Sequence, residues 1–224
     1  MDSIGVSRAT RGKGIKRSVG PRTKQEQREE TREKLLVAAR HLFLASGFKA
    51  TTLEKVATRA GLTKGAVYFH FRSKERLLLT LLDSVNEEVI KPVLRVLSSN
   101  EEASASKLVN FVHVHAELGL RHRDNMLLLV TMSIEFSENR GAVHTKVKQI
   151  YQSIYDELER VIRAGQASGE LKRNAPAKEM ASVLVANHNG ALLEWYRRRN
   201  DINGDNLVRA VRAIMVEGIF APNS

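Results

Sequence analysis

The sequence predicts an all-α protein, with an N-terminal three-helix helix-turn-helix unit and a larger helical domain after it, about nine helices in total. Three observations lead there. Apolar residues recur at three-and-four spacing from residue 31 almost to the C-terminus. No segment alternates with period two for long enough to argue a strand, and only four prolines interrupt 224 residues. At 42% hydrophobic the chain can bury the core of one large domain or two small ones, and no repeat of solenoid length recurs.

Residues 1–24 are rich in Gly, Ser, Arg and Lys without an apolar period, and read as a disordered basic arm. From residue 31, Leu35, Leu36, Ala39, Leu42 and Phe43 make one helical stripe, and Gly47 stands where a C-terminal cap belongs. Thr51 and Glu54 have capping-box spacing for a second helix, whose stripe is Leu53, Val56, Ala57 and Ala60. Gly61 breaks it, and Thr63 caps a third helix over 64–71. Ser73 caps a fourth, with Leu77, Leu78, Leu81, Leu82 and Val85 on one face. Past Pro92 the breaks at 98–100, 121–125, 139–141, 165–169 and 200–204 divide the remainder into about five helices.

There are no cysteines, which excludes disulfides, thiolate catalysis and Cys-based metal sites. The net charge of +11 is unevenly placed. Residues 1–24 hold seven basic side chains against one acid, 25–82 hold eleven against six, and 83–224 hold eighteen of each. The simplest reading is a polyanion partner for the first 82 residues and a separate task for the neutral remainder; a solubilising tail is the alternative. No apolar stretch approaches the 18 or so residues of a membrane helix, and no apolar h-region follows the basic N-terminus. The expectation is a soluble, cytoplasmic protein without a membrane partner.

Two short helices joined by a Gly-containing turn, as at 51–71, can lay the second in a DNA major groove while the first braces it. The second begins Thr63, Lys64, Gly65, Ala66, small enough at its start for close approach to a phosphate backbone. Val67 and Phe71 face the core on this spacing, and Lys64, Tyr68 and His70 face outward. An ordinary helical hairpin with a solvated polar face has the same spacing; the local excess of positive charge argues for DNA.

The wording TTLEKVATRAGLTKGAVYFHFRSKERLL at 51–78 strongly resembles the DNA-binding domain of TetR-family transcriptional regulators, as does AARHLFLASGF at 38–48. The resemblance covers about a quarter of the chain, and the GQASGELK segment at 165–172 and the total length agree with it. It implies a homodimeric, ligand-responsive DNA-binding protein, a repressor in the usual case, although activators share the same helices. By position it implies phosphate contacts for Thr52, Tyr68 and Lys74, and a groove-facing set of Thr63, Lys64, Gly65 and His70, with Lys64 suited to guanine acceptors. Phe69 either touches a thymine methyl or packs against the first helix, and packing is favoured. The arm follows the backbone or enters a minor groove. The implied organisation is the arm at 1–24, the DNA-binding domain at 25–82 and an effector-binding and dimerisation domain at 83–224.

In that last domain, residues 126–136 are apolar on nearly every side. Met126, Leu129, Met132 and Phe136, with Phe111, Tyr151, Tyr155 and Trp195, offer walls for a mainly apolar effector; plain core is the competing reading. Glu135 either pairs with a cationic ligand or is simply solvated. For the homodimer, the wide stripes Met180, Leu184, Ala191, Leu192 and Trp195, and Val208, Val211, Met215, Gly218 and Ile219, offer an interface. No cofactor or metal is expected: His113 and His115 are two apart and so face different sides, and His188 reads as an interface or core histidine. No nucleophile elbow, zinc-protease motif or phosphate loop occurs, so the chain is read as a non-enzyme, with palindromic double-stranded DNA as partner. A less specific nucleic-acid binder relying on the arm alone is the reading from another class.

Overall fold

The computed structural model describes residues 23–99, 102–198 and 201–219, without the side chains of 216, 217 and 219. In chain order it has α1 (Lys24–Ala50), α2 (Leu53–Arg59), α3 (Lys64–His70), α4 (Lys74–Val85), a π turn (Asn86–Ile90) and α5 (Lys91–Leu97). Then follow α6 (Ser104–Arg121), α7 (Arg123–Glu135), α8 (Ala142–Ser168), α9 (Ala177–Arg198) and α10 (Gly204–Ile219). Helix α4, the π turn and α5 run on as one rod, so the described residues make nine helical rods and no strand element. The basic arm as far as residue 22 lies outside the described residues.

Helix α1 starts eleven residues before Leu35, the first residue of the apolar stripe. Thr23 caps it: its hydroxyl accepts from the Glu26 amide at 3.2 Å, and the Glu26 carboxylate accepts from the Thr23 amide at 2.7 Å. Pairs one turn apart, Glu29 with Arg32 and Glu30 with Lys34, support the polar turns that periodicity misses. Gly47 (φ +77°) then interrupts the helix.

The second helix is capped one residue later than the spacing suggested. Thr52 accepts from the Lys55 amide, whereas Thr51 is buried and donates its hydroxyl to the Gly47 carbonyl. Thr63 and Ser73 cap α3 and α4 as expected. Pro92 has no N–H for the carbonyl four residues back, that of Glu88, and the rod widens there into its π turn.

The break expected at 121–125 narrows to His122, and α8 runs through Gly165 to Ser168. Gly165 is a packing glycine, since a Cβ there would lie 2.6 Å from Leu171 and 2.8 Å from Ser104. Gly169 (φ +84°) is the residue that ends α8.

Leu35, Leu36, Ala39 and Phe43 of α1 meet α4 and α7, and residues 126–130 of α7 are buried on every side. One apolar core runs from Leu35 to Met215. Residues 82 and 83 lie inside the α4–α5 rod, so the boundary expected there falls within a helix, and the residues on either side of it share one core.

Candidate nucleic-acid interface and effector cavities

Helices α2 and α3, seven residues each, meet at a turn through Gly61 (φ +68°). Val67 and Phe71 are buried against the rest of the unit. Thr63, Lys64, Gly65, Tyr68 and Phe69 are exposed, and His70 is half-buried. A Cβ on Gly65 would meet nothing nearer than the Thr63 hydroxyl at 3.9 Å, so the surface over it is open. Thr52, also exposed, stands at the start of α2.

Glu54 of α2 engages two side chains of this surface at once. Its carboxylate pairs with the Lys64 ammonium at 2.9 Å and accepts from the Tyr68 hydroxyl at 3.1 Å. The hydrogen bond from Lys64, followed by backbone and Tyr68 bonds, lowers the Glu54 carboxyl to about 2. His70 is pushed down by burial first and then by Arg28 and Arg32, so at neutral pH it offers one donor and one acceptor rather than a charge.

Phe69, for which packing against the first helix is favoured, meets α1 only through a cation and is otherwise open. The ring is 67% exposed, with the Arg28 guanidinium over it at 5.1 Å. Neither Arg28 nor Glu54 is conspicuous in the sequence. Arg28 belongs to the polar turns of α1 that carry no apolar signal, and Glu54 has the capping-box position that disguises it.

Lys74 also departs from expectation. Its ammonium donates to the carbonyls of Phe48 (2.6 Å), Thr51 (2.8 Å) and Lys49 (3.3 Å), and lies 4.2 Å from the centre of the Phe48 ring. Burial pushes its pKa down. An ammonium has three donors, and all three are engaged here, so the side chain braces the end of α1 rather than facing a phosphate.

Next to this corner stands Glu135 of α7, whose charge also acts on Lys74 and which is not simply solvated. Its carboxylate accepts from the backbone amides of Phe48 and Lys49, and the adjacent Phe136 ring meets Phe48 edge-on at 5.1 Å. A second junction runs from Arg40 to Asn125 at 2.6 Å and from Asn125 to Glu88 in the π turn at 2.9 Å.

Of the eight expected effector residues, four come together. Met132, Phe136, Tyr151 and Tyr155 line a cleft of about 310 Å³ between α7 and α8, beside Lys148 and Asn189. Asn189 donates to the Tyr151 hydroxyl at 3.4 Å, and burial raises the Tyr151 pKa. Phe111, Met126 and Leu129 are core residues that line neither this cleft nor the smaller cavity below. Trp195 lines that separate cavity, of about 60 Å³, between α6, α9 and α10.

The expected interface residues divide in the same way. Met180, Leu184, Leu192 and Met215 are buried inside the subunit and have almost no surface to offer a partner. Ala191, Trp195, Val208 and Val211 are half-buried around the small cavity, Gly218 is exposed, and the Ile219 side chain lies outside the described residues. On the outer side of these helices stand Val183, 64% exposed, and Ile214, 67% exposed, among the exposed small residues Ala186, Gly190, Ala210 and Ala213. No helix among the described residues is long and apolar enough to cross a membrane.

The model of the bacterial regulatory proteins, tetR family, matches residues 35–81, and that of the tetracyclin repressor-like C-terminal domain matches residues 128–214. The chain is 30% identical over 181 residues to the HTH-type transcriptional regulator TtgR of Pseudomonas putida, across 78% of this chain and 83% of that one. It is 25% identical over 211 residues to the HTH-type transcriptional repressor BepR of Brucella suis biovar 1, across 90% and 97%. The crystal structure of the MbdR regulator from Azoarcus sp. CIB superposes with a TM-score of 0.77 at 34% identity, over 85% of this chain and 100% of that one. With a helix-turn-helix at one end and a helical ligand-binding domain at the other, the chain belongs to the TetR family of bacterial transcriptional regulators.

Proposed function

We propose that the protein is a homodimeric repressor in the cytoplasm, holding a palindromic operator through two copies of α3 and releasing it when a small, mainly apolar effector enters the helical domain. The observation that carries this is the outer side of α3, where Lys64, Gly65, Tyr68 and Phe69 stand exposed beside a neutral His70. In this reading Thr63, Lys64, Gly65 and His70 face the groove, with Lys64 on guanine acceptors, while Thr52 and Tyr68 meet phosphates. The cleft at Met132, Phe136, Tyr151 and Tyr155 takes the effector, because it lies next to the Phe136–Phe48 contact that joins the two units.

A seven-residue α3 covers little DNA, so specific binding needs two of them, set about 34–36 Å apart by a two-fold axis. The outer side of α9 and α10, with Val183, Ala186 and Gly190 on one helix and Ala210, Ala213 and Ile214 on the other, supplies the dimer contact. Its small residues permit close helix approach.

Selection of binding sites from random DNA with the purified protein tests the proposal. The expected result is one palindrome, held about a thousandfold or more over random DNA at physiological salt. Lys64→Ala should flatten the preference at one symmetric base pair, and Tyr68→Phe should weaken all sequences alike. A pool without enrichment overturns the reading.

A further inference from the structure

The cleft between α7 and α8 has about 310 Å³, roughly twice the 150 Å³ that holds a benzene ring, so it has room for a ring with a short chain. Met132, Phe136 and Val147 on its walls are buried. Tyr151 and Tyr155, one turn apart on α8, add two rings with centroids 6.2 Å apart and planes within 25°. The Tyr151 hydroxyl, the Asn189 amide that donates to it and the Ser133 hydroxyl are neutral polar groups of the same cleft.

One side chain of the lining stands apart. Lys148 lines the cleft and is exposed, and no carboxylate lines it anywhere. Elsewhere on these helices cations find acids: Lys91, Arg121 and Arg163 each meet a glutamate one turn away, and Lys146 pairs with Asp83 of α4. The residues one turn from Lys148 are His144, Thr145, Tyr151 and Gln152, none of them acidic, and no ion pair among the described residues holds it. An apolar cleft with one uncompensated cation on its wall is complementary to a molecule that is apolar over most of its length and carries one negative charge.

We propose that this cleft binds an amphipathic monoanion, an apolar ring or short chain that ends in one carboxylate, with the apolar part against Met132, Phe136 and Tyr155 and the carboxylate on Lys148. The ammonium donates to the carboxylate in a charge-assisted hydrogen bond, for which a neutral ligand has no counterpart. A ligand ammonium would stand beside Lys148 with no carboxylate to offset either charge. That such an anion acts as the effector rests on the reading of this cleft as the effector site. The link is short: His144, one turn before Lys148, donates from Nδ1 to the Phe136 carbonyl at 2.9 Å, and the Phe136 ring meets Phe48 of α1.

Calorimetric titration of the full chain with phenylpropanoate, phenylpropanol and phenylpropylamine tests it, since the three share ring and chain and differ in charge. Phenylpropanoate should bind tightest, the alcohol about fivefold more weakly and the amine more weakly still. Added salt should weaken the acid and leave the alcohol unchanged. Lys148 is exposed, so its substitution leaves the core intact. Lys148→Met should bring the acid down to the affinity of the alcohol, and Lys148→Glu should give the amine the advantage. Absence of phenylpropanoate binding, an alcohol that binds as tightly as the acid, or an acid preference that survives Lys148→Met overturns the proposal. The effector reading fails in a different way: an acid that binds through Lys148 and leaves operator affinity unchanged would overturn the regulatory role of the cleft, while its charge preference would stand.

Discussion

Glu135, the last residue of α7, accepts a hydrogen bond from the backbone amide of Phe48 at 2.9 Å, and the same carboxylate takes the Lys49 amide at 3.1 Å. Gly47 interrupts α1 just before these amides and has no side chain to cap them. The effector-binding domain supplies the missing acceptor. A shift of α7 therefore pulls on the end of α1 directly, and through Lys74, which holds the carbonyls of the same residues, on the start of α4.

Glu135→Ala leaves two amides without their acceptor, one of them partly buried, and should lower the unfolding free energy by about 1–3 kcal/mol, with Glu135→Gln losing less. Urea unfolding measures this. An unchanged midpoint in Glu135→Ala would show that the junction contributes nothing.

Lys74→Met keeps the stem and removes the ammonium from its three carbonyls. We expect a loss of about 1–3 kcal/mol in stability and an unchanged salt dependence of operator binding. A slope of log affinity against log salt that flattens by about one would place Lys74 on a phosphate instead.

Ile214→Glu adds a charge to the exposed outer side of α10 and should yield a folded monomer by sedimentation at micromolar concentration. Val211→Glu places its charge against the small cavity and should instead destabilise the subunit itself. A folded, dimeric Ile214→Glu protein would move the interface elsewhere.

His115 and His188, two buried imidazoles stacked face to face, set an acid limit on stability. His188 has a folded pKa of about 4 against an ordinary 6.5, so on acidification the unfolded chain takes up its proton first. The contribution is complete above about pH 6.5 and is lost as pH falls towards 4; it amounts to about 2–3 kcal/mol for His188, and His115 acts in the same direction. Unfolding free energy of the unsubstituted protein, measured relative to that of His188→Phe, should fall by about 2–3 kcal/mol between pH 7 and pH 4. A constant difference would show that the ring is not held neutral.

Most of the fold was legible because apolar period and caps are local signals. The stripe of Leu35, Leu36, Ala39 and Phe43, the Thr63 cap and the buried α7 all follow from residues within a turn of one another. The site was less so. Lys74 looks like a surface cation until the carbonyls of Phe48 and Thr51, more than twenty residues away, are placed around it. Met180 and Leu184 have a stripe that suits an interface, and only the packing of α9 along α8 shows that it faces inward. His115 and His188, seventy-three residues apart, carry no shared motif, and their stacking is a product of tertiary packing alone.

With α3 as the proposed groove-facing helix, Glu54 would make DNA recognition an exchange of partners rather than a gain of them. A Lys64 that reaches for a base, or a Tyr68 that reaches for a phosphate, first gives up the carboxylate it already holds. Opposite a base pair whose acceptors its ammonium does not reach, Lys64 can keep Glu54 and is not left unpaired. In that reading the penalty for a wrong base at that position would be softened, and the preference there would depend on how well each base competes with a carboxylate 2.9 Å away.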